Sequence, residues 1–245
     1  MKNWLKIVGL GIASFGLFVH PAHSAVVTFT GTDVAAGPGA PTPIADSAAA
    51  AFAAAAGALG GITTITFEGA PLGPFSNLPV APGVTINGDN YGGNTLYVSN
   101  TPNFPTAPAL DGFNTTPGGA YYVELIGGNL VFTFAVPTQF FGAYFTGIQP
   151  GFFSDYLSFT DSNGLQTVSV SNPTAYDGGV TFVGFVDAGE LITSVTFVSG
   201  GPGYGDFSGI DDVSYQTIPE PSSLTLVGVA IAGGAIHLFK RRRNV

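Results

Sequence analysis

The sequence predicts a mainly-β protein: an antiparallel two-sheet sandwich, jelly-roll-like, with one short N-terminal helix before it and a C-terminal transmembrane helix in the precursor. Three observations predict it. From Ile62 onward about eleven short apolar or alternating runs follow one another, with no helical period among them. Clusters of Gly, Asn, Asp and Pro separate these runs, as turns require. Ahead of them, within the body, the strongest helix-forming stretch is an alanine run ending at Ala56.

Residues 25–61 form an N-terminal extension. A Gly/Pro-rich loop from Gly37 to Pro43 leads into Asp46-Ser47, the alanine run and Gly57. Alanine is the best helix former, Asp or Ser a good N-cap and Gly a good C-cap, so a helix is predicted at about 46–57. Its one large apolar residue is Phe52. The sandwich domain follows at 62–218. Its predicted strands are Ile62–Phe67, Val84–Ile86, Thr95–Ser99, Tyr121–Leu125, Leu130–Val136, Phe140–Phe145, Tyr156–Thr160, Gln166–Val170, Val180–Val186, Leu191–Val198 and Ile210–Tyr215. Asp161-Ser162-Asn163-Gly164 and Asp187-Ala188-Gly189-Glu190 read as hairpin loops, and Gly127-Gly128-Asn129 joins two further strands. Val168 and Val170 alternating with Thr167 and Ser169 give the two-residue period of a sheet with one wet face.

The two ends carry addresses. Lys2 and Lys6, the apolar run Ile7–Val19 and the small residues of Ala22-His23-Ser24 read as a signal peptide at 1–24. Residues 219–245 comprise Pro219-Glu220-Pro221, an uncharged apolar stretch over 224–239, and the basic end Lys240-Arg241-Arg242-Arg243. The stretch is short for a hydrocarbon core of about 30 Å, and the basic end places that terminus in the cytoplasm, with the body outside. This tripartite tail resembles the PEP-CTERM sorting signal. The resemblance implies recognition by an exosortase-type processing enzyme through Pro219, Glu220, Pro221, Arg241, Arg242 and Arg243. It also implies transient anchoring in the inner membrane, then display at the cell surface or in the extracellular matrix of a polysaccharide-producing bacterium.

Charge narrows the chemistry further. Between Ala25 and Ile218 there is no Lys, Arg, His or Cys, whereas all the acids of the chain except Glu220 lie there. A Ser, Thr or Cys nucleophile lacks its usual base. Phosphate and carboxylate ligands lack their cationic clamp, which excludes nucleotides and nucleic acid. The inventory left is carboxylates, hydroxyls, amides and backbone groups, which suits calcium ligation, sugar contacts or a carboxylate-pair mechanism. Without Cys, an exported fold must also stand without disulfides.

Thr66-Phe67-Glu68-Gly69, Phe141–Phe145 and Gly209–Tyr215 are similar to segments found in the bodies of PEP-CTERM proteins and in jelly-roll modules of the MAM-like and carbohydrate-binding kinds. That likeness implies a structural Ca2+ held by Glu68 with Asp211 or Asp212, because the first and last strands of such modules lie together. Neighbours on a strand alternate faces, so only one of Asp211 and Asp212 is expected to point at the ion. Asn87, Asp89 and Asp206 are lesser candidate ligands. Tyr91, Tyr97, Tyr121, Tyr122, Tyr156, Tyr176 and Tyr204 are candidates for a sugar-stacking platform, whereas the Phe-rich strands are expected in the core. The loop 201–206 is glycine-rich but precedes a strand rather than a helix, so it is no phosphate cradle.

Three functions fit these residues: a non-enzymatic exported surface or matrix protein associated with exopolysaccharide and binding it weakly, a carboxylate-dependent glycoside hydrolase or lyase, and a self-assembling adhesion or surface-layer module. Acids in turn-like sequence, such as Asp161, Asp177 and Asp187, speak against a buried carboxylate pair.

Overall fold

The computed structural model describes residues 25–34, 36–89, 96–102, 112–148, 155–170, 179–200 and 207–217. The predicted signal peptide and sorting tail lie outside them. In chain order the elements are β1 (Val27–Asp33), α1 (Pro43–Gly57), β2 (Gly61–Ile65), β3 (Gly73–Phe75), β4 (Asn77–Ala81), β5 (Val84–Asp89), β6 (Leu96–Ser99) and β7 (Tyr122–Ile126), then β8 (Gly128–Thr138), β9 (Phe140–Thr146), β10 (Asp155–Asp161), β11 (Gly164–Val170), β12 (Val180–Val186), β13 (Ile192–Ser199) and β14 (Phe207–Thr217).

They form two antiparallel sheets. One runs β1-β12-β9-β14-β7-β6-β3, with β2 also paired to β14; the other runs β11-β10-β13-β8-β5-β4. The sandwich interior is joined by phenylalanine pairs reaching from sheet to sheet: Phe159 stacks on Phe185 at 3.9 Å, Phe145 meets Phe197 at 4.8 Å and Phe132 meets Phe141 at 5.1 Å. These rings belong to a single buried cluster. The Phe-rich strands are therefore core, as their composition predicts.

A second apolar cluster makes the fold three layers thick. Helix α1 packs on the outer face of the first sheet, and Phe52 meets Phe29, Phe140 and Phe182. Gly142 and Gly184 face each other across β9 and β12, and a Cβ on either would come within 3.1 Å of the Phe52 ring. Two adjacent glycines thus make the dimple that seats the helix. With a helix on one face and a sheet on the other, β12 is buried along its whole length, which explains its unbroken apolar sequence. β11 has one wet face and alternates as predicted.

The structure departs from expectation in three ways. β1, β3 and β4 are strands that the sequence did not predict: β1 pairs with β12, so the 25–61 segment supplies an edge strand as well as a helix. The helix begins at Pro43, three residues early, because its cap is remote. The Asp33 carboxylate, at the end of β1, accepts from the Ile44 and Ala45 amides at 2.8–3.2 Å, while the local cap residue Thr42 makes no side-chain capping bond. Asp46 is thereby inside the first turn instead of capping it. Finally, Asp161–Gly164 is a hairpin turn, but Asp187–Glu190 connects β12 of one sheet to β13 of the other. Local turn chemistry is the same in both; only tertiary pairing separates a hairpin from a crossover.

Candidate functional site

The predicted adjacency of first and last strands holds. β2 pairs with β14 from Ile65–Val213 to Gly61–Thr217. Glu68 follows β2 in a turn where Phe67 takes a left-handed φ of 60°. Asp211 and Asp212 lie where the β14–β9 register shifts by a bulge, and Asp212 has φ 48°. Those are the non-glycine positive-φ residues among the described ones, and both flank one cluster of acids, where backbone strain marks a specially shaped place.

The bulge corrects the expectation that neighbouring acids must diverge. Both Asp211 and Asp212 meet the same two threonines. Asp211 is fully buried. Its Oδ2 accepts from the Thr115 amide at 2.8 Å, the Thr116 amide at 3.0 Å and Asn114 Nδ2 at 2.9 Å; its Oδ1 accepts from the Asp212 amide at 2.8 Å. Asp212 accepts from Thr116 Oγ1 at 2.7 Å and Thr115 Oγ1 at 3.0 Å. Glu68 Oε1 takes the Ala120 and Tyr121 amides at 2.8 and 2.9 Å. Asn114 Nδ2 also donates to Glu68 Oε1, at 3.2 Å, tying the first-strand acid to the last-strand acid.

Burial raises Asp211 to about 7, and the charge of Asp212 adds to this, against the pull of the Thr115, Asp212 and Thr116 amides. Asp212 is raised as well, first by burial and then by Glu68, while the two threonine hydroxyls oppose the rise. The acids thus hold the loop 112–121 onto the bulge of β14. Thr146 helps, since its hydroxyl accepts from the Phe113 amide at 2.9 Å and donates to the Phe113 carbonyl at 3.0 Å.

This donor set does not suit Ca2+. Fixed N–H groups aim at Glu68 Oε1 and at both Asp211 oxygens, and a cation needs lone pairs free of donors. Among the described residues no group of three acids, His or Cys is spaced to hold a metal. Of the lesser candidates, Asn87 and Asp89 lie on β5 in the other sheet and Asp206 lies outside the described residues.

Beside this loop opens a cleft of about 610 Å3. It is walled by Gly37–Thr42 and the start of α1 on one side and by residues 113–120 on the other; Asp46, Asn100, Tyr144 and Asp212 are among its polar side chains. The Tyr144 hydroxyl donates to Asp46 Oδ1 at 2.9 Å, and its ring packs edge-on against Phe182 at 5.2 Å. Its phenol is pushed well above the ordinary tyrosine value, first by burial, then by the bond to Asp46 and by the charges of Asp46, Asp212 and Asp33.

Of the described tyrosines predicted for a sugar platform, none lines this cleft. Tyr122 is fully buried and donates to the Thr101 carbonyl at 2.9 Å; Tyr121 packs on the core; Tyr97 is exposed on β6 and Tyr156 half-buried on β10. Tyr91, Tyr176 and Tyr204 lie outside the described residues, as do Pro219, Glu220, Pro221, Arg241, Arg242 and Arg243. Tyr144 was hidden inside a Phe-rich run. The signal that could have found it is its place two residues after the helix-seating Gly142, on the same outward face of β9.

Acids in turns are also less exposed than their sequence suggests. Asp187 and Glu190 are buried, and Asp187 lies against Asp161. Glu190 Oε1 and Oε2 accept from the Ser162 hydroxyl and amide at 2.7 and 2.9 Å, clasping the two turns together. None of these residues lines the cleft.

No family model matches this chain, and no curated protein matches it. Solved structures with similar coordinates include the K2 cleaved adhesin domain of Lys-gingipain, at 12% identity over 64% of this chain and 100% of that one, with a TM-score of 0.42. TmCBM61 in complex with beta-1,4-galactotriose is similar at 13% identity over 62% of this chain and 95% of that one, TM-score 0.31. A family 29 carbohydrate-binding module, CBM29-2, is similar at 17% identity over 66% and 99%, TM-score 0.32. Likeness of this degree identifies no ligand and no activity.

Proposed function

We propose that this protein is an exported surface or matrix module that binds extracellular polysaccharide in the cleft over Tyr144 and performs no catalysis. The observation that carries the reading is the cleft itself. It is large enough for about one to three sugar rings on ordinary pocket scales, it holds one half-buried aromatic ring, and its polar side chains are carboxylates, amides and hydroxyls. Such groups accept and donate to sugar hydroxyls, and a tyrosine face covers the C–H face of a ring. Export through 1–24 and sorting through Pro219-Glu220-Pro221 and Arg241–Arg243 by an exosortase-type enzyme complete the proposal; the motifs of the two ends support them.

Affinity electrophoresis through gels cast with neutral and amino polysaccharides tests it. Retention of the protein, reduced at least fivefold by Tyr144→Ala with an unchanged melting curve, is expected. Equal mobility in every gel and in the blank would end the reading.

One observation favours a second reading, a carboxylate-pair glycoside hydrolase. Asp46 and Asp212 line the same cleft, and Asp212 is raised as a general acid should be. Two hydroxyl donors on Asp212 favour its ionised form, however, and Tyr144 already occupies Asp46. New reducing ends released by the purified protein, and lost in Asp212→Asn, would establish hydrolysis in place of binding.

A further inference from the structure

The cleft has a sign as well as a shape. Asp46 and Asp212 face into it, and between Ala25 and Ile218 no Lys, Arg or His exists to offset them. A uronate, sulfate or phosphate group on a glycan would meet two carboxylates and no cation, and repulsion at short range in a recess costs more than on an open surface.

We infer that the glycan this cleft takes carries free amines, an amino sugar stripped of its acyl group, with the ammonium seated against Asp46 and Asp212. This rests on the polysaccharide-binding reading and narrows it to one ligand class. The geometry gives each group a part. Asp46 Oδ1 is engaged by Tyr144 and by Thr42 Oγ1 at 3.1 Å, which fixes the carboxylate at an exposed position. Asp212 is held from behind by the hydroxyls of Thr115 and Thr116. Two carboxylates already positioned lose little side-chain freedom when a cation arrives. The Tyr144 ring adds a face that attracts an ammonium or the sugar C–H bonds next to it. Burial is the first cause of the raised Tyr144 phenol; the bond to Asp46 and the charges of Asp46, Asp212 and Asp33 add to it, and those charges are the field that would draw the amine. An amide in place of the amine would keep the ring contact and lose the charge pairing.

The test is binding of the purified full chain to three oligosaccharides of equal length: glucosamine, N-acetylglucosamine and galacturonate hexamers, by calorimetry at pH 6 in low salt. The glucosamine hexamer should bind at least tenfold more tightly than its N-acetylated counterpart, and the galacturonate hexamer should show no binding. The preference should shrink as salt is raised and fall below about threefold in Asp46→Asn, an exposed position whose replacement leaves the core intact. Asp212→Asn, checked by its melting curve, should act in the same direction. Equal or tighter binding of the N-acetylated hexamer, lost in Tyr144→Ala, would overturn the amine preference while leaving polysaccharide binding standing. Binding of galacturonate, or an undiminished preference in Asp46→Asn, would overturn the inference at its electrostatic root. Silence from all three ligands would remove both it and the polysaccharide reading.

Discussion

Two groups of acids sit at opposite ends of β12. Near Val180, where the strand begins, Glu68, Asp211 and Asp212 hold a loop beside an open cleft; just beyond Val186, where it ends, Asp161, Asp187 and Glu190 clasp two turns. Seven strand residues separate the ends by roughly 20 Å. Both groups are carboxylates with backbone and hydroxyl donors. The difference is in what surrounds them: the first borders a recess with an aromatic ring, whereas the second closes on itself. Acids alone therefore do not define a site in this molecule. A recess and a ring beside them do.

Removing the central acid of the open group should have the largest effect. Asp211→Ala would leave the amides of Thr115, Thr116 and Asp212 without this acceptor and take one of its acceptors from the Asn114 side chain, so a loss of about 3 kcal/mol or more is expected in denaturant unfolding. A loss under about 1 kcal/mol would mean that the loop is held by Thr146 and Glu68 instead. In the closed group, Glu190→Gln should cost less, about 1–2 kcal/mol, through weaker acceptance from Ser162, and should leave glycan binding unchanged. A change in binding would join the two ends in a way their separation argues against.

pH separates the groups by sign. Asp211 in the folded protein lies at about 7, above the ordinary Asp value of 3.8, so the folded state holds the extra proton. Its contribution to stability is full below about 4 and is lost as pH rises through 7; Asp212, also raised, acts in the same sense. Asp161 runs the other way. Burial would raise it, but the Gln166 amide and the Asn163 amides outweigh this and lower it, so its small contribution is present above the ordinary value and lost as pH falls. Melting temperature should therefore decline from pH 5 to pH 8, and Asp211→Asn should flatten the decline. A melting temperature that climbs over that range would reverse the assignment. The smallest expected effect is that of calcium. With N–H donors already on the carboxylates, melting curves in calcium and in chelator should coincide within about a degree, whereas binding at a hundredfold excess over Kd would add about 2.7 kcal/mol.

Much of this was legible in the sequence. The sandwich, the Phe core, the alanine helix and the meeting of Glu68 with Asp211 and Asp212 follow from periodicity, composition and motif likeness, all of which act locally or through burial. β3 and β4 were missed because Pro74 and Pro79 break the apolar pattern, and β1 because it is an edge strand rich in Thr and interrupted by Gly31. The bulge that turns Asp211 and Asp212 the same way, the remote Asp33 cap and the threonine loop that satisfies the acids depend on partners more than ten residues away. Single-strand patterns carry no record of such partners. Tyr144 belongs to the same class, since only the placement of α1 decides that the outward face of β9 is covered at Gly142 and open two residues later.

Amide chemical-shift mapping during titration with an amino-sugar oligosaccharide separates the open cleft from the clasped turns, because it reports both ends of β12 at once. Shifts concentrated at residues 37–42, 113–120 and 144 are expected, with none at 161–164 or 187–190. Shifts centred on the two clasped turns, or spread evenly over both sheets, would contradict binding in the cleft.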